Sequence, residues 1–430
     1  MRVLMFGWEF PPHISGGLGT ASFGLTKGMA TLDNLEVIFV VPRVWGDEDR
    51  STVRLIGANK VPVAYKKIFY KGARIPVEKI EVESCVVPYS DPDDFWKKMS
   101  SEIYEHKLFI QTNNSGTVDF SGRYDTNLLD EIYKYSVVAS LIAEELEFDI
   151  IHAHDWLAYP AGIAAMEVSG KPLVIHVHAT DFDRSGGNVN PEVYRIEKRG
   201  MDAASKIITV SNLTKEIVIH KYNIHPDKVE TVYNAVEHES VNGNVILKKG
   251  FDEKVVTFLG RITMQKGPEY FIEAAYKVLK AMNNVRFVMA GSGDMMERMI
   301  RRAASLGITD RFHFTGFLKG RDVFTLLSMS DVYIMPSVSE PFGISPLEAM
   351  QSNVPVIISK QSGVSEILTH AVKTEFWDID AMADAIYGIL NYPALARMFI
   401  RNGKEEVIRL KWDNSARHVR DIYERVIWNK

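Results

Sequence analysis

Several things are scarce in this chain. Among 430 residues there is one cysteine, Cys85, so no intrachain disulfide can form and a reducing compartment is expected. As a side chain, Cys85 reads most simply as a small apolar core residue. No stretch approaches the roughly 20 apolar residues that a membrane-spanning helix needs. The opening "MRVLMFGWEFPP" is broken by Glu9 and a proline pair before a secretory apolar segment can build up, so no signal peptide is expected. Positive charge is not in excess either. The formal charge is −5, which makes nucleic acid and anionic membrane surfaces poor partners. Repeats of roughly 20 to 50 residues and low-complexity tracts are missing, excluding solenoids and disordered arms. The expectation is a soluble, cytoplasmic protein.

What is present is apolar material in regular alternation. The chain is 46% hydrophobic and longer than the about 250 to 300 residues at which a single core stops growing, so two domains are expected. "RVLMFG" (2–7) is a buried strand ending at glycine. "SGGLGTASFGLTKGMA" follows with the spacing of one helix face, and "LEVIFVVP" (35–42) is a second buried strand. That is a βαβ unit, whose parallel strands require helices on both faces. From about 43 to 125 the pattern loosens into turn-rich pieces and reads as an insertion. Alternation resumes with a helix near 127–146, "FDIIHAH", a helix near 157–168, "PLVIHVH", "KIITVS" and "VETVYNAV".

The polar stretch 237–254 separates this series from a second one, and reads as the linker. The second series runs "VVTFLG", a helix at 268–281, "VRFVMAG", a helix near 294–306, "FHFTGF", a helix near 322–328, "DVYIMP", a helix after Pro346, and "PVIIS". Both series predict an α/β fold of doubly wound parallel sheets. The domains are expected at 1–240 and 250–410, with a helical tail at 411–430. Ligands of such sheets sit outside the carboxyl ends of the strands, so the residues just after each strand carry the information.

Gly16 and Gly17 let a ligand approach the backbone where a helix N-terminus offers free N–H groups, which suits a phosphate. The plainer reading is a tight strand-to-helix turn. The spacing is not that of a dinucleotide fingerprint, and no acidic residue follows at the second strand end. His152, His154, His176 and His178 lie in pairs at two strand ends, each pair on one face. They read as core histidines, with His178 the one facing a ligand. A metal-dependent hydrolase, with His152 and His154 as ligands assisted by Asp155, is the competing reading. In "GRITMQKG" (260–267), Arg261 and Lys266 stand before a helix opened by Gly267 and Pro268. Two cations there suit a diphosphate, the arginine as a fork and the lysine as a point charge; the alternative is a solvated basic loop. In "SEPFGISPLEAM" (339–350), Glu348 falls in the first turn of a helix, where a carboxylate also suits the dipole, while Glu340 stays in the loop.

Taken together, "SGGLG", "HAHDW", "HVHATDFDRSGG", "YNAV", "GRITMQKG" and "SEPFGISPLEA" resemble, across nearly the whole chain, the retaining GT-B glycosyltransferases of families 4 and 5 that include glycogen and starch synthases. The resemblance implies a GT-B fold: two Rossmann-like domains facing a cleft, with the last helix crossing back to the N-domain. It implies a nucleotide-sugar donor and no cofactor or metal. Arg261 and Lys266 would neutralise the diphosphate, with Gly16 and Gly17 adding N–H groups from the opposite domain. His178 would lie by the donor sugar, Glu340 with Gly343 and Ile344 would hold its hydroxyls, and Glu348 would hold the ribose. Asn234 is a further donor-side candidate. On the acceptor side, Asp155 follows the HAH strand, and Trp156 with Tyr124 would stack a glucan.

The reaction so implied is transfer of glucose from ADP- or UDP-glucose to an α-1,4-glucan. The alternative is another acceptor for a family 4 enzyme: a cell-envelope oligosaccharide, a lipid-linked sugar or a small sugar. One departure bears on this choice. Ile14 stands where glycogen and starch synthases carry a lysine before Gly-Gly-Leu, whereas "HATDFDR" and "GRYDTN" favour the glucan.

Overall fold

The computed structural model describes residues 1–14, 16–63, 67–70, 73–78, 108–109, 113, 115–124, 128–237 and 249–428. Ser15, Cys85 and residues 238–248 of the expected linker lie outside the described residues. β1 (Arg2–Phe6), α1 (Gly17–Ala30) and β2 (Glu36–Val41) form the anticipated unit. Past its first residue each of these strands is wholly buried, as a parallel sheet covered on both faces demands.

The sheet then takes a strand where a loosened pattern had suggested an insertion. β3 (Arg54–Gly57) pairs parallel to β2. Four residues at a sheet edge, only the last fully buried, carry too little alternation to be read from sequence. Within the remaining stretch lies a small separate sheet of β4 (Lys67–Tyr70), β5 (Ala73–Glu78) and β6 (Leu108–Phe109).

The first half continues with α2 (Leu128–Glu145), β7 (Ile150–His154), α3 (Asp155–Ser169), β8 (Leu173–Val177), α4 (Asp181–Ser185), α5 (Pro191–Ala203), β9 (Lys206–Thr209), α6 (Asn212–Lys221) and β10 (Val229–Thr231). Local chemistry sets the helix ends. Asn190 accepts from Glu192 N ahead of Pro191, Ser211 accepts from Thr214 N, and Gly170 closes α3 in the left-handed region. All strands of the seven-stranded sheet run parallel, in the order β10-β9-β8-β7-β1-β2-β3.

The second half comprises β11 (Lys254–Leu259), α7 (Pro268–Ala281), β12 (Val285–Ala290), α8 (Met296–Ser305), β13 (Phe312–Gly316), α9 (Arg321–Met329), β14 (Val332–Met335), α10 (Ser345–Gln351), β15 (Val356–Ser359), β16 (Val372–Thr374), α11 (Ile379–Asn391) and α12 (Pro393–Val407). Its six parallel strands are ordered β13-β12-β11-β14-β15-β16 around a core of its own, with Phe271, Phe287, Phe312 and Ile334 at the centre.

The last helix, α13 (Trp412–Trp428), returns to the first half. Trp412 lies so close to α1 that a Cβ on Gly24 would come within 2.2 Å of its indole, and one on Gly28 within 2.5 Å of its carbonyl oxygen. Val419, Ile422 and Tyr423 share an apolar cluster with Val3, Met5, Leu25 and Phe39. Burial of each such side chain contributes about 1.5 to 3 kcal/mol, which anchors the crossover.

Strand order reverses between β1 and β7 in one sheet and between β11 and β14 in the other. These reversals are where open α/β sheets bind ligands. The loops and first helical turns that follow those strands carry Gly16, Gly17 and Asp155 on one side, and Arg261, Lys266, Glu340 and Glu348 on the other. The two halves touch at these ends. Ser339 Oγ donates to Asp183 Oδ1 at 2.6 Å, and the Glu366 carboxylate accepts from the N–H groups of Asn212 (2.9 Å) and Leu213 (2.7 Å) at the start of α6.

Candidate active site

On the second half, β11 runs into Gly260 and Arg261, then a 3-10 turn over Met264–Lys266 that Gly267 ends at φ +64°. A Cβ on Gly267 would sit 2.1 Å from the carbonyl oxygen of Pro336, so only glycine fits. That close approach brings the β11 and β14 loops together, and Val338 N donates to the Gln265 carbonyl at 2.9 Å. Lys266 Nζ donates to the Glu340 carboxylate, which also accepts from Ser337 Oγ at 3.4 Å. Glu340 is 7% exposed. Arg261 is exposed, reaches Gln265 Oε1 at 3.4 Å, and has no carboxylate partner among the described residues.

Gly343, at φ +100°, turns the chain into α10; a Cβ there would meet Met335 at 3.0 Å. Ile344 is half-buried and packs against apolar clusters of both halves. Glu348 occupies the first turn of α10, half-buried, with no hydrogen-bond or ion-pair partner for its carboxylate among the described residues. Burial pushes it up to about 7.

Across from these groups, the glycines of α1 fall into two kinds. Gly19, Gly24 and Gly28 are explained by packing, against Ile14 in the first case and Trp412 in the others. Gly16 and Gly17 are not: both are exposed, a Cβ at either would meet nothing within 4 Å, and Gly16 is in extended backbone open to any residue. What glycine provides there is room beside an uncapped helix start. Ile14 turns back onto Gly19, so the position lacking a lysine points into the helix packing.

His152, His154, His176 and His178 form a ladder on the sheet face covered by α13. Ring centroids are 4.3 Å apart within each strand pair and 5.2 to 5.4 Å apart across strands. His152 Nδ1 meets Tyr423 Oη of the crossover helix. His154 Nδ1 meets His178 Nε2 at 2.9 Å. Both ring nitrogens of His176, and one on each of the others, are buried without a partner among the described residues. Burial first, and mutual repulsion second, hold His152, His154 and His176 well below the ordinary imidazole range. For His178 burial prevails over the attraction of Asp155, and its value falls to about 4. The ladder is neutral at physiological pH. Ring nitrogens of His152, His154 and His176 lie within 4.8 Å of one another.

Asp155 has a different place from the one expected of an acceptor ligand. It is 3% exposed at φ +59°. Its Oδ1 accepts from the N–H groups of His178 (2.8 Å) and Ala179 (3.3 Å), and its Oδ2 pairs with Arg184 at 2.9 Å. These three contacts make it a buried brace for the His178 loop. Arg184 also reaches Glu197 at 3.3 Å. Trp156 is half-buried and packs against the core of the first half. Tyr124 is 50% exposed. Asn234 is buried on the segment leaving β10, beside Tyr233, whose hydroxyl donates to Glu366 at 2.8 Å.

Sequence reasoning missed the bracing groups Arg184, Asp183 and Glu366, since each acts through a partner distant in sequence. Trp45 and His13, which stand after β2 and β1 on the same sheet edge as Gly16, were not singled out from the sequence. A tryptophan shortly after the apolar run "VIFVVP" was the signal in the sequence.

Two parallel-sheet Rossmann-like halves meeting at their strand ends, with a returning helix, define the GT-B fold. The chain belongs to the glycosyltransferases: the family described as "Glycosyl transferases group 1" matches residues 245–406, and "Glycosyltransferase Family 4" matches residues 117–240. It is 32% identical to a glycosyltransferase of Methanocaldococcus jannaschii, over 99% of this chain and 98% of that one. It is 21% identical to glycogen synthase of Mycobacterium tuberculosis, over 98% and 94%. Among solved structures, sucrose-phosphate synthase from Thermosynechococcus elongatus superposes over 100% of both chains at a TM-score of 0.69 and 16% identity. Among the described residues, no helix is long and apolar enough to cross a membrane.

Proposed function

We propose that this glycosyltransferase moves glucose from ADP- or UDP-glucose to an α-1,4-glucan, with retention of configuration. The observation that carries the donor half is the grouping around one strand-order reversal of Arg261, the Lys266–Glu340 pair and Glu348, whose carboxylate has no partner among the described residues. Cations aimed at a departing diphosphate stabilise charge that builds only in the transition state. On this reading the acceptor hydroxyl attacks C1 of the glucose on the face the phosphate leaves. The C1–O bond to phosphate breaks, and a phosphate oxygen takes the acceptor's proton. Arg261 and Lys266 hold the diphosphate, and Gly16 and Gly17 close on it with their N–H groups.

Glu340, fixed by Lys266, would take the sugar hydroxyls together with the backbone of Gly343 and Ile344, while Glu348 would take the ribose. His178, neutral and braced by Asp155, would donate a hydrogen bond near the reacting carbon. Asn234 remains a donor-side candidate. No metal or cofactor enters this scheme. A metal-dependent hydrolase loses its ground with the family.

Support for the glucan comes from full-length similarity to a glycogen synthase. A smaller sugar acceptor is the second reading, favoured by Ile14 in place of a lysine and by the fold shared with a sucrose-phosphate synthase. Release of nucleoside diphosphate from a panel of nucleotide-sugars, with and without glycogen, separates the two.

A further inference from the structure

Asp155 is a buried brace and Trp156 is half-buried against the core, whereas the loops after β1 and β2 present an exposed aromatic surface. Trp45 is 45% exposed yet firmly held. The Arg43 guanidinium lies over its ring at 3.9 Å, and the His13 ring is 5.1 Å away at a 32° tilt. Arg43 is itself fixed by donating to the Phe120 carbonyl at 2.9 Å. The Glu48 carboxylate accepts from the N–H groups of Trp45 and Gly46, and Val44 N donates to Asn59 Oδ1 at 3.1 Å. His13 Nε2 meets Asp47 Oδ1 at 2.7 Å, joining the glycine-loop side to the β2 loop. A Cβ on Gly122 would touch Arg43 at 3.2 Å, so the chain leading to the half-exposed Tyr124 runs alongside.

A half-exposed indole held in a fixed orientation, with the Arg43 guanidinium over its ring and His13 and Asp47 beside it, has the make-up of a carbohydrate subsite: exposed apolar indole surface for a sugar's C–H bonds and polar groups next to it for the hydroxyls. Position sets which sugar it meets. His178 follows β8 and Trp45 follows β2, and β8, β7, β1 and β2 are successive neighbours. Three strand spacings of roughly 4.8 Å put these loops about 14 Å apart, more than one pyranose ring spans. We infer that Trp45, with His13, Arg43 and Asp47, binds a sugar further along an α-glucan chain than the one being glycosylated, so that the enzyme selects longer acceptors. This rests on the glucan reading above.

The test compares maltose with maltohexaose as acceptors for the full chain, with binding of maltohexaose followed by tryptophan fluorescence in the absence of donor. Wild type should show a lower KM for maltohexaose. Trp45→Ala should raise that KM at least tenfold, toward the value for maltose, with the loss in KM rather than kcat. Trp45→Phe should fall between, and Trp428→Ala, 81% exposed on the far helix, should behave as wild type. Equal KM values for the two acceptors in wild type, or a Trp45→Ala variant that keeps the preference, would overturn the proposal. So would the absence of maltohexaose binding to wild type, whereas donor turnover with a different acceptor would then still stand as evidence on the transferase reaction.

Discussion

Lys266 and Glu340, 74 positions apart in the chain, form a nearly dry ion pair where the loops after β11 and β14 meet. Side-chain exposures of 20% and 9% leave little solvent to screen it. Breaking one partner of such a pair leaves the other charge uncompensated, so the two residues act as a unit. Lys266→Ala should slow turnover by roughly 2 to 4 kcal/mol of barrier if its charge meets the diphosphate. The Lys266→Ala/Glu340→Ala double variant should lose clearly less than the sum of the singles. Steady-state release of nucleoside diphosphate measures both, and strict additivity would argue for independent roles.

Arg261 offers a cleaner contrast, being exposed and free of carboxylate partners among the described residues. Arg261→Ala should leave the melting temperature nearly unchanged while slowing turnover by a similar roughly 2 to 4 kcal/mol. A variant of wild-type rate would remove Arg261 from the site.

Glu348 predicts a pH dependence. Its carboxyl is held up to about 7 by burial, so below that pH it carries a proton in the free protein. A contact that needs the carboxylate as acceptor therefore strengthens as pH rises toward 7, by up to about tenfold in donor affinity per pH unit. Glu348→Gln should flatten that dependence. The sign for stability is opposite: the folded state holds this proton more tightly than the unfolded chain, so the free protein loses stability as pH rises from the ordinary carboxylate range to about 7. Calorimetric titration with nucleoside diphosphate at several pH values checks the first, and thermal melts of the two proteins check the second.

The histidine ladder makes the first half sensitive to acid. Its imidazoles are held below their ordinary value of 6.5, so the unfolded chain takes up protons that the folded state refuses. Stability is full above about pH 6.5 and falls as pH drops through the window toward 4. His176 has both ring nitrogens unpartnered, and an apolar residue of similar size costs little in such a place. His176→Leu should gain more against urea at pH 5 than at pH 7.5, and parallel curves at the two values would contradict this.

Much of the fold was legible because parallel strands buried on both faces are near-continuous apolar runs, as "VLMF" and "VIFVV" illustrate. Arg54–Gly57 escaped notice because an edge strand of four residues has no pattern to show. Strand-end logic selected Arg261, Lys266 and Glu340, which the fold then gathers at a reversal of strand order. The bracing of Asp155 was not legible, since the Arg184 that pairs with it and the His178 N–H that donates to it come from beyond β8, and no spacing rule pairs them. In one dimension Gly24 and Gly28 are two glycines of a predicted helix with no evident purpose. In three they are clearance for Trp412, nearly 400 positions away.

The most direct test of the proposed reaction is the release of nucleoside diphosphate from ADP-glucose and UDP-glucose in the presence and absence of glycogen, with the anomeric form of the new linkage read by NMR. Glycogen-dependent release from one of these donors, with glucose joined in the α configuration, is the predicted result. Release that ignores glycogen but requires a small or lipid-linked sugar, or a β-linked product, would contradict it.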